Sequence, residues 1–441
     1  MAPARREYNA PDPQRGGLDY ARAAANLVFT NWVFWQVAWA RDRDWAPVTR
    51  TTLRANLKAG FTFDQDVLQT NFFGHPYHGG LQFNAARSAG LSFWESALYT
   101  FGGSLAWELF AEREKPALND LAVTTLGGIL LGEMTFRLSS ELLDEGSDES
   151  RLLRELAAAC VNPVRGFDRA VTGRAWSKGA PAIRHPLRLE LDVGADRVSL
   201  NEEQGTPSPS RPALLLATRV RYGDLLPVPE RTSFEPLEYF EIYAAANLLN
   251  SQLSGAHVYS SGLLYGISTQ LSSWPRPFAD NDVLGVALNY EYVGTDFTTY
   301  SGLGFGPVNH LVLRRGGHLS VRLSVGADFV PILGATSTEA GHSARDYNFA
   351  TGVSPWSGVA VGLGPFGEIG LQMRHYIAEV VDGERGEEFI GSTRLWYELK
   401  AIGDFGIGLA PTWVYRRGHY DASQSYWAEQ LSAQLYFTVG N

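Results

Sequence analysis

Two histidines three residues apart, His75 and His78, flank Pro76 in the segment NFFGHPYHGG that runs from Asn71 to Gly80. Imidazoles at this spacing, in a loop that glycines make permissive, can share a proton, polarise a substrate or bind a metal ion. Carboxylates within reach along the chain are Asp64, Asp66, Glu108 and Glu133. The blander reading has both rings satisfying backbone groups at a buried loop-to-helix corner. A pair HxxH without a third ligand at fixed spacing is a weak metal signal, so neither a metal nor a cofactor is assigned. Glu108 sits on an otherwise apolar helix, four residues after Ser104 and four before Glu112. A carboxylate in such a run either pairs or functions, because burying it alone is costly. Glu133 and Arg137, four apart, can pair with each other. The sharper expectation is that His75, His78, Glu108 and Glu133 face one cavity with perturbed pKa values. The competing one is a polar network that ties two helices together.

These residues lie in a half of the chain patterned for helices. The first 16 residues are polar and proline-bearing and read as a disordered tail. Residues 17–175 read as a helical domain. Between Arg22 and Arg41 stand 18 residues without charge, with Phe29, Trp32, Phe34, Trp35 and Trp39 among them. That is near the length of a membrane span, but a helix buried against others explains it as well. Further helices are expected over about 48–58, 85–114, 119–143 and 149–160, with Phe72 to Gly80 as a loop. Lys115-Pro116 breaks the second of these, and Asn119 or Asp120 can cap the third. The mid-helix carboxylates Glu95, Glu108 and Glu133 predict that these helices bury their apolar faces against protein, outside lipid.

The block HPYHG at His75 to Gly79, with Ala86-Arg87, Ser104, Trp107-Glu108, Asn119-Asp120, Gly132-Glu133 and Arg137, resembles the bacterial family known as domain of unknown function 3943. The resemblance covers about residues 65–145. It brings no established activity, so it names the region without explaining it.

From Trp176 the period changes to two. Leu187, Leu189, Leu191 and Val193 alternate with Arg188, Glu190 and Asp192, and Leu319, Val321, Leu323 and Val325 alternate with Ser320, Arg322 and Ser324. Leu431, Ala433, Leu435, Phe437 and Val439 do the same in the last strand. Period two shows that one face is apolar, not what that face meets. Strands of ten residues or more, arginines on the opposite face (Arg219, Arg221, Arg322, Arg374, Arg394) and aromatics near strand ends (Trp274, Tyr292, Trp396, Trp413, Trp427) favour lipid. The expected fold is α+β: the helical region, then an antiparallel transmembrane β-barrel of about twelve strands over residues 176–441. Gly302 to Gly306 reads as strand in which small residues relieve crowding in the lumen.

Composition agrees. Charged residues are 19% of the chain, below the roughly 25% of soluble domains, and Gly and aromatics are abundant. A net charge of −10 with no basic run argues against nucleic acid and leaves membrane lipid as the expected partner. One cysteine excludes an internal disulfide. No G-x-S-x-G elbow, P-loop or dinucleotide fingerprint occurs. The N-terminus lacks the apolar core of an export signal, so an outer-membrane location expects the chain to be a mature form. Three functional readings follow. The first is a non-enzymatic outer-membrane envelope or transport protein whose helical domain closes or partly fills the barrel. The second is a lipid-modifying enzyme using His75 or His78 as base beside Glu108. The third is a soluble or inner-membrane protein with a β domain for binding.

Overall fold

The computed structural model describes residues 7–12, 16–41, 43–147, 150–179, 181–202, 208–226, 232–250, 252–269, 281–295, 297–315, 318–336, 346–421 and 425–440. The chain divides into two compact units, Met1–His185 and Pro186–Asn441.

In the first unit the helices are α1 (Gly17–Ala40), α2 (Arg50–Ala59), α3 (His75–Ser88), α4 (Phe93–Phe110), α5 (Leu118–Leu142), α6 (Arg151–Val161) and α7 (Pro163–Val171). The expected loop at the histidines is instead a π-turn, Thr70–Gly74, running straight into α3. Pro76 stands at the junction of the π-turn and α3, just after His75, whose N–H bonds the Thr70 carbonyl. The glycines act by size, not by turning the chain. A Cβ on Gly79 would stand 1.9 Å from the Thr124 carbonyl oxygen, and one on Gly128 would stand 2.5 Å from Gly79, so α3 and α5 meet backbone to backbone. The single helix expected over 85–114 is two, parted at Gly90, whose φ of +94° suits glycine. Ser92 then caps α4 and Glu95 returns the bond to Ser92. The helix expected over 149–160 is not the last, because Pro163 opens α7. Tyr8 is buried with Leu143, Ala158 and Ala182, so residues 7–12 are packed rather than loose; residues 1–6 and 13–15 of the expected tail lie outside the described residues.

The unit's polarity is inverted along two helices. On α1, Asn26 and Thr30 are buried while Phe29, Trp32, Val37 and Trp39 are exposed. On α4, Ser96, Thr100, Ser104 and Glu108 are buried while Trp94, Leu98, Phe101 and Phe110 are exposed. The carboxylates do turn toward protein, as expected, but the apolar faces of α1 and α4 are not buried against neighbouring helices. The reason is that the interior is held by hydrogen-bonded polar groups, which leaves the large apolar side chains the outer face. By length and composition α5 could also cross a membrane, with 56% of its apolar window buried in this fold.

The second unit is a closed antiparallel sheet of twelve long strands: β1 (Leu187–Glu202), β2 (Ser208–Tyr222), β3 (Phe240–Leu249), β4 (Gln252–Ser268), β5 (Asn281–Gly294), β6 (Thr299–Arg315), β7 (Leu319–Thr336), β8 (Tyr347–Gly362), β9 (Glu368–Asp382), β10 (Gly386–Ile402), β11 (Phe405–Tyr420) and β12 (Tyr426–Gly440). Each pairs with its sequence neighbours, and β1 pairs with β12 from Glu190↔Gly440 to Glu202↔Ala428. A two-residue strip, Ser233–Phe234, adds to the edge of β4. Alternation is strict in β12, where Leu431, Leu435 and Phe437 are exposed and Ser432, Gln434, Tyr436 and Thr438 are buried. Val325 and Phe329 of β7 are likewise exposed, and Arg322 turns inward to Glu368 of β9. An apolar outer wall around a polar, charged interior is the transmembrane arrangement.

Aromatic positions depart from the expected girdle. Trp396 lies in register with Gly370, on the inward face with Arg394, and a Cβ on Gly370 would meet its ring at 2.0 Å. Gly302 likewise leaves room for Tyr376. Trp413 is exposed outside with its indole donating to Glu429, Tyr292 is buried, and Trp274 lies outside the described residues.

Because Leu435 faces outward near the middle of β12, Leu435→Arg is expected to lower barrel stability by about 2–4 kcal/mol. Urea-driven unfolding and refolding in phosphatidylcholine vesicles reads this; an unchanged midpoint would contradict the outward assignment.

Candidate functional site

The histidine region is built where the N-terminal turns of α3 and α5 meet α4. His75 Nδ1 stands 3.1 Å from Thr124 Oγ1 and its Nε2 stands 3.4 Å from Asp120 Oδ1. Around that pair lies an amide–carboxylate web. Asn119 donates to Asp64 at 2.8 Å, to Asn71 at 2.9 Å and to Asp120 at 2.7 Å, and Asn71 donates to Asp64 at 3.1 Å. Glu108 caps α5 by accepting the Ala117 N–H at 2.8 Å, the role expected of Asn119 or Asp120, which lie inside the first turn. Glu112 accepts the indole N–H of Trp107 at 2.5 Å.

Electrostatics here are dominated by crowded carboxylates in a buried setting. Burial, then the charges of Asp64, Glu108 and Glu112, hold Asp120 well above the usual carboxylate range. Burial and the neighbouring Glu112 do the same to Glu108. Glu112 is pushed up to about 7 and Asp66 up to about 6, in each case mainly by burial. Burial also drives His75 down to about 4 and His78 down to about 3. Asp120 and His75 are thus held neutral together rather than as an ion pair. Among the described residues no group of three or more His, Cys, Asp or Glu side chains is placed to hold a metal ion.

His78 belongs to a different environment three residues along. Its Nε2 lies 3.0 Å from Asn31 Oδ1 and 3.3 Å from Gln82 Nε2. The ring stacks on Phe34 at 4.3 Å and meets Trp107 edge-on at 4.5 Å, so it is walled by aromatics. Glu133 is elsewhere again, 13 residues beyond Asp120 and so roughly 20 Å along α5. It is fully buried, bridged by Arg87 through bonds of 2.8 and 3.1 Å and by Arg137 at 2.9 Å. Arg87 also donates to the Leu91 and Asn9 carbonyls. Of the four expected site residues, then, His75 and Glu108 share one electrostatic cluster, while His78 and Glu133 each sit in another. The pairing of Glu133 with Arg137 was readable from their spacing; its second partner, Arg87, lies 46 residues earlier in sequence and was not.

The barrel lumen is the other concentration of polar chemistry. Near its middle, Asp328 receives Arg374 at 2.7 Å, the Trp356 indole at 3.1 Å and both its oxygens meet Asn289. Toward the end that carries the turns after β5, β9 and β11, Arg416 and Tyr420 converge on Glu388 at 2.7 and 2.6 Å. Tyr300, Leu333, Tyr376 and Ile390 pack beside that pair and fill this half. Toward the end where β1 begins and β12 finishes, cavities remain, lined by Arg188, Arg219, Arg221, Arg322, Glu241 and Tyr259 among others. Arg219 there bridges Glu190, Asp192 and Glu398.

A helical unit followed by a twelve-strand transmembrane-type barrel is the class these features define. Residues 60–164 match the family model described as Domain of unknown function (DUF3943), the same region that carries the resemblance in the sequence. Comparison with curated proteins finds no match. Among solved structures, the barrel part is similar to the outer membrane protease OmpT of Escherichia coli (9% identity, 59% of this chain and 99% of that one, TM-score 0.25). It is also similar to the COG4313 outer membrane channel of Pseudomonas putida F1 (9%, 59% and 97%, 0.28) and the anion-selective porin of Comamonas acidovorans (8%, 58% and 100%, 0.26).

Two outcomes follow from the geometry. The folded-state pKa of Glu112 lies above its ordinary 4.5, so its stabilising contribution is full below about pH 4.5 and is lost as pH rises through about 7. Glu112→Gln is therefore expected to raise thermal stability at pH 8, by about 1–3 kcal/mol, and to change little at pH 4. His75 and His78 act in the opposite sense, with stability full above pH 6.5 and lost as pH falls toward 4 and 3. Melting followed by far-ultraviolet circular dichroism across pH 4–8 separates the two limbs. In the second case, Glu133→Ala strands Arg87 and Arg137 and is expected to cost about 3–5 kcal/mol in denaturant titrations. A loss below 1 kcal/mol would show that the arginines find other partners.

Proposed function

We propose that the protein is a non-enzymatic component of a bacterial outer membrane whose barrel holds or passes small solutes and contacts lipid through its apolar wall. The observation that carries this reading is the closed sheet with Leu, Val and Phe outside and ion pairs inside. Closed β-barrels of this polarity belong to outer-membrane-type bilayers. The half-filled lumen supports storage or slow, selective passage rather than an open aqueous pore. In the same reading the helical unit restricts access, closing or partly filling the barrel.

The enzymatic alternative, with His75 or His78 as base beside Glu108, has less behind it. A general base works best with a pKa near the operating pH, and these imidazoles are held at about 4 and 3.

Expression in a Gram-negative host followed by membrane separation is expected to recover the chain in the outer-membrane fraction, with a heat-modifiable electrophoretic mobility. In planar bilayers its conductance is expected to fall well below that of an open porin, and loosening the helical unit with Glu133→Ala is expected to raise it. Recovery in the soluble fraction, or no mobility shift on heating, would overturn the reading.

A further inference from the structure

Arg394 is a buried lumen arginine that meets no carboxylate among the described residues. Arg219, Arg221, Arg322, Arg374 and Arg416 each meet a carboxylate. Arg394 is 93% buried, since its exposure is 7%, yet its contacts are two ring faces: Tyr243 at 4.6 Å and Trp396 at 5.6 Å. Among the described residues its Nε has no hydrogen-bond partner. A buried guanidinium without a carboxylate is costly to maintain, and its fork of N–H groups is shaped for a planar oxyanion.

That fork lines a cavity of about 90 Å³, which shares Arg221, Glu241, Tyr259, Gln372 and Trp396 with a second cavity of about 100 Å³. A water needs roughly 10–15 Å³ on this measure, so the joined space takes a small organic molecule or several waters. Its walls set the ligand's charge. Around the first cavity Arg221 is paired with Glu241 and Arg219 is shared by Glu190, Asp192 and Glu398, which leaves Arg394 as the buried cation that meets no carboxylate among the described residues. One carboxylate answers that single guanidinium, whereas a dianion would be repelled by the glutamates around it. Its walls also set the ligand's shape, because Trp396, Tyr243 and Tyr259 line it and give a flat apolar body an aromatic surface to pack against.

We propose that this lumen site binds a small planar monocarboxylate, its carboxylate on Arg394 and its flat body against Trp396 and Tyr259. The assignment rests on the barrel reading above and narrows its solute to one chemical class.

Equilibrium dialysis of the full chain, folded in detergent, against benzoate, acetate and inorganic phosphate tests it. Benzoate is expected to bind saturably at one site, acetate more weakly, and phosphate more weakly still. Arg394→Met is expected to lower benzoate affinity roughly 10- to 100-fold, the range for losing a charge-assisted hydrogen-bonded pair. Trp396→Leu, which leaves the charge in place, is expected to narrow the gap between benzoate and acetate. The heat-modifiable shift of the same samples reports the barrel independently. No saturable benzoate binding by unaltered protein that still shifts overturns the ligand assignment and leaves the barrel reading standing. Phosphate binding tighter than benzoate, or an Arg394→Met protein that shifts and binds benzoate as before, overturns it too. A chain that does not shift refutes both.

Discussion

Every peptide group in a sheet that crosses a bilayer must find its partner within the sheet, because hydrocarbon offers none. The pairing of β1 with β12 meets that requirement by joining the ends of the sheet, and the rest of the barrel follows from it. Closure makes the two faces inequivalent: one becomes a wall against lipid, the other a lumen. Alternation then turns one residue in two of each strand inward, so charges from distant parts of the sequence converge. Asp328, Arg374, Asn289 and Trp356 come from four strands and make one network. Large inward aromatics need equally specific room, which Gly370 supplies to Trp396 on the neighbouring strand and Gly302 supplies to Tyr376 from across the lumen.

The two units bury charge by different means. In the lumen, carboxylates meet guanidiniums in direct ion pairs, as at Glu388 with Arg416. In the helical unit, the carboxylates around His75 have few cations near them, and burial favours protonation instead. The exception is Glu133, where two arginines restore the lumen's solution inside a helix pair. A polar helical interior has a consequence for the surface, since α1 and α4 then carry their tryptophans and phenylalanines outward. This inversion makes the bundle unlike an ordinary soluble one, whose polar groups face water.

Much of this was legible in the residues. The change from helical periodicity to period two near residue 176 and the apolar face of β12 follow from alternation alone, because a pleated strand has only two sides; the strand number and the outward sense also need the even-number preference of barrels and the arginines opposite the apolar faces. The Glu133–Arg137 pair follows from four-residue spacing on a helix. The HPYHGG segment reads as a loop in sequence because glycines normally signal turns, yet it is helical. Its glycines are needed for close approach to α5, and a sequence does not display which helix approaches. The same limit hid Arg87 as a partner of Glu133 and the inward position of Trp396.

Sequence by itself determined which residues share a face, since that depends only on the local repeat of 3.6 or 2. It also determined that charges on the inward strand faces had to be held inside the barrel. Only the tertiary structure decided which of them are matched. Pairing depends on register and closure across strands far apart in the chain, and these left Arg374 with Asp328 and Arg394 with two aromatic rings. The histidines divide the same way. Their spacing is local, but burial and the carboxylates of α4 and α5 place His75 beside Asp120 and His78 among Phe34, Trp107 and Asn31.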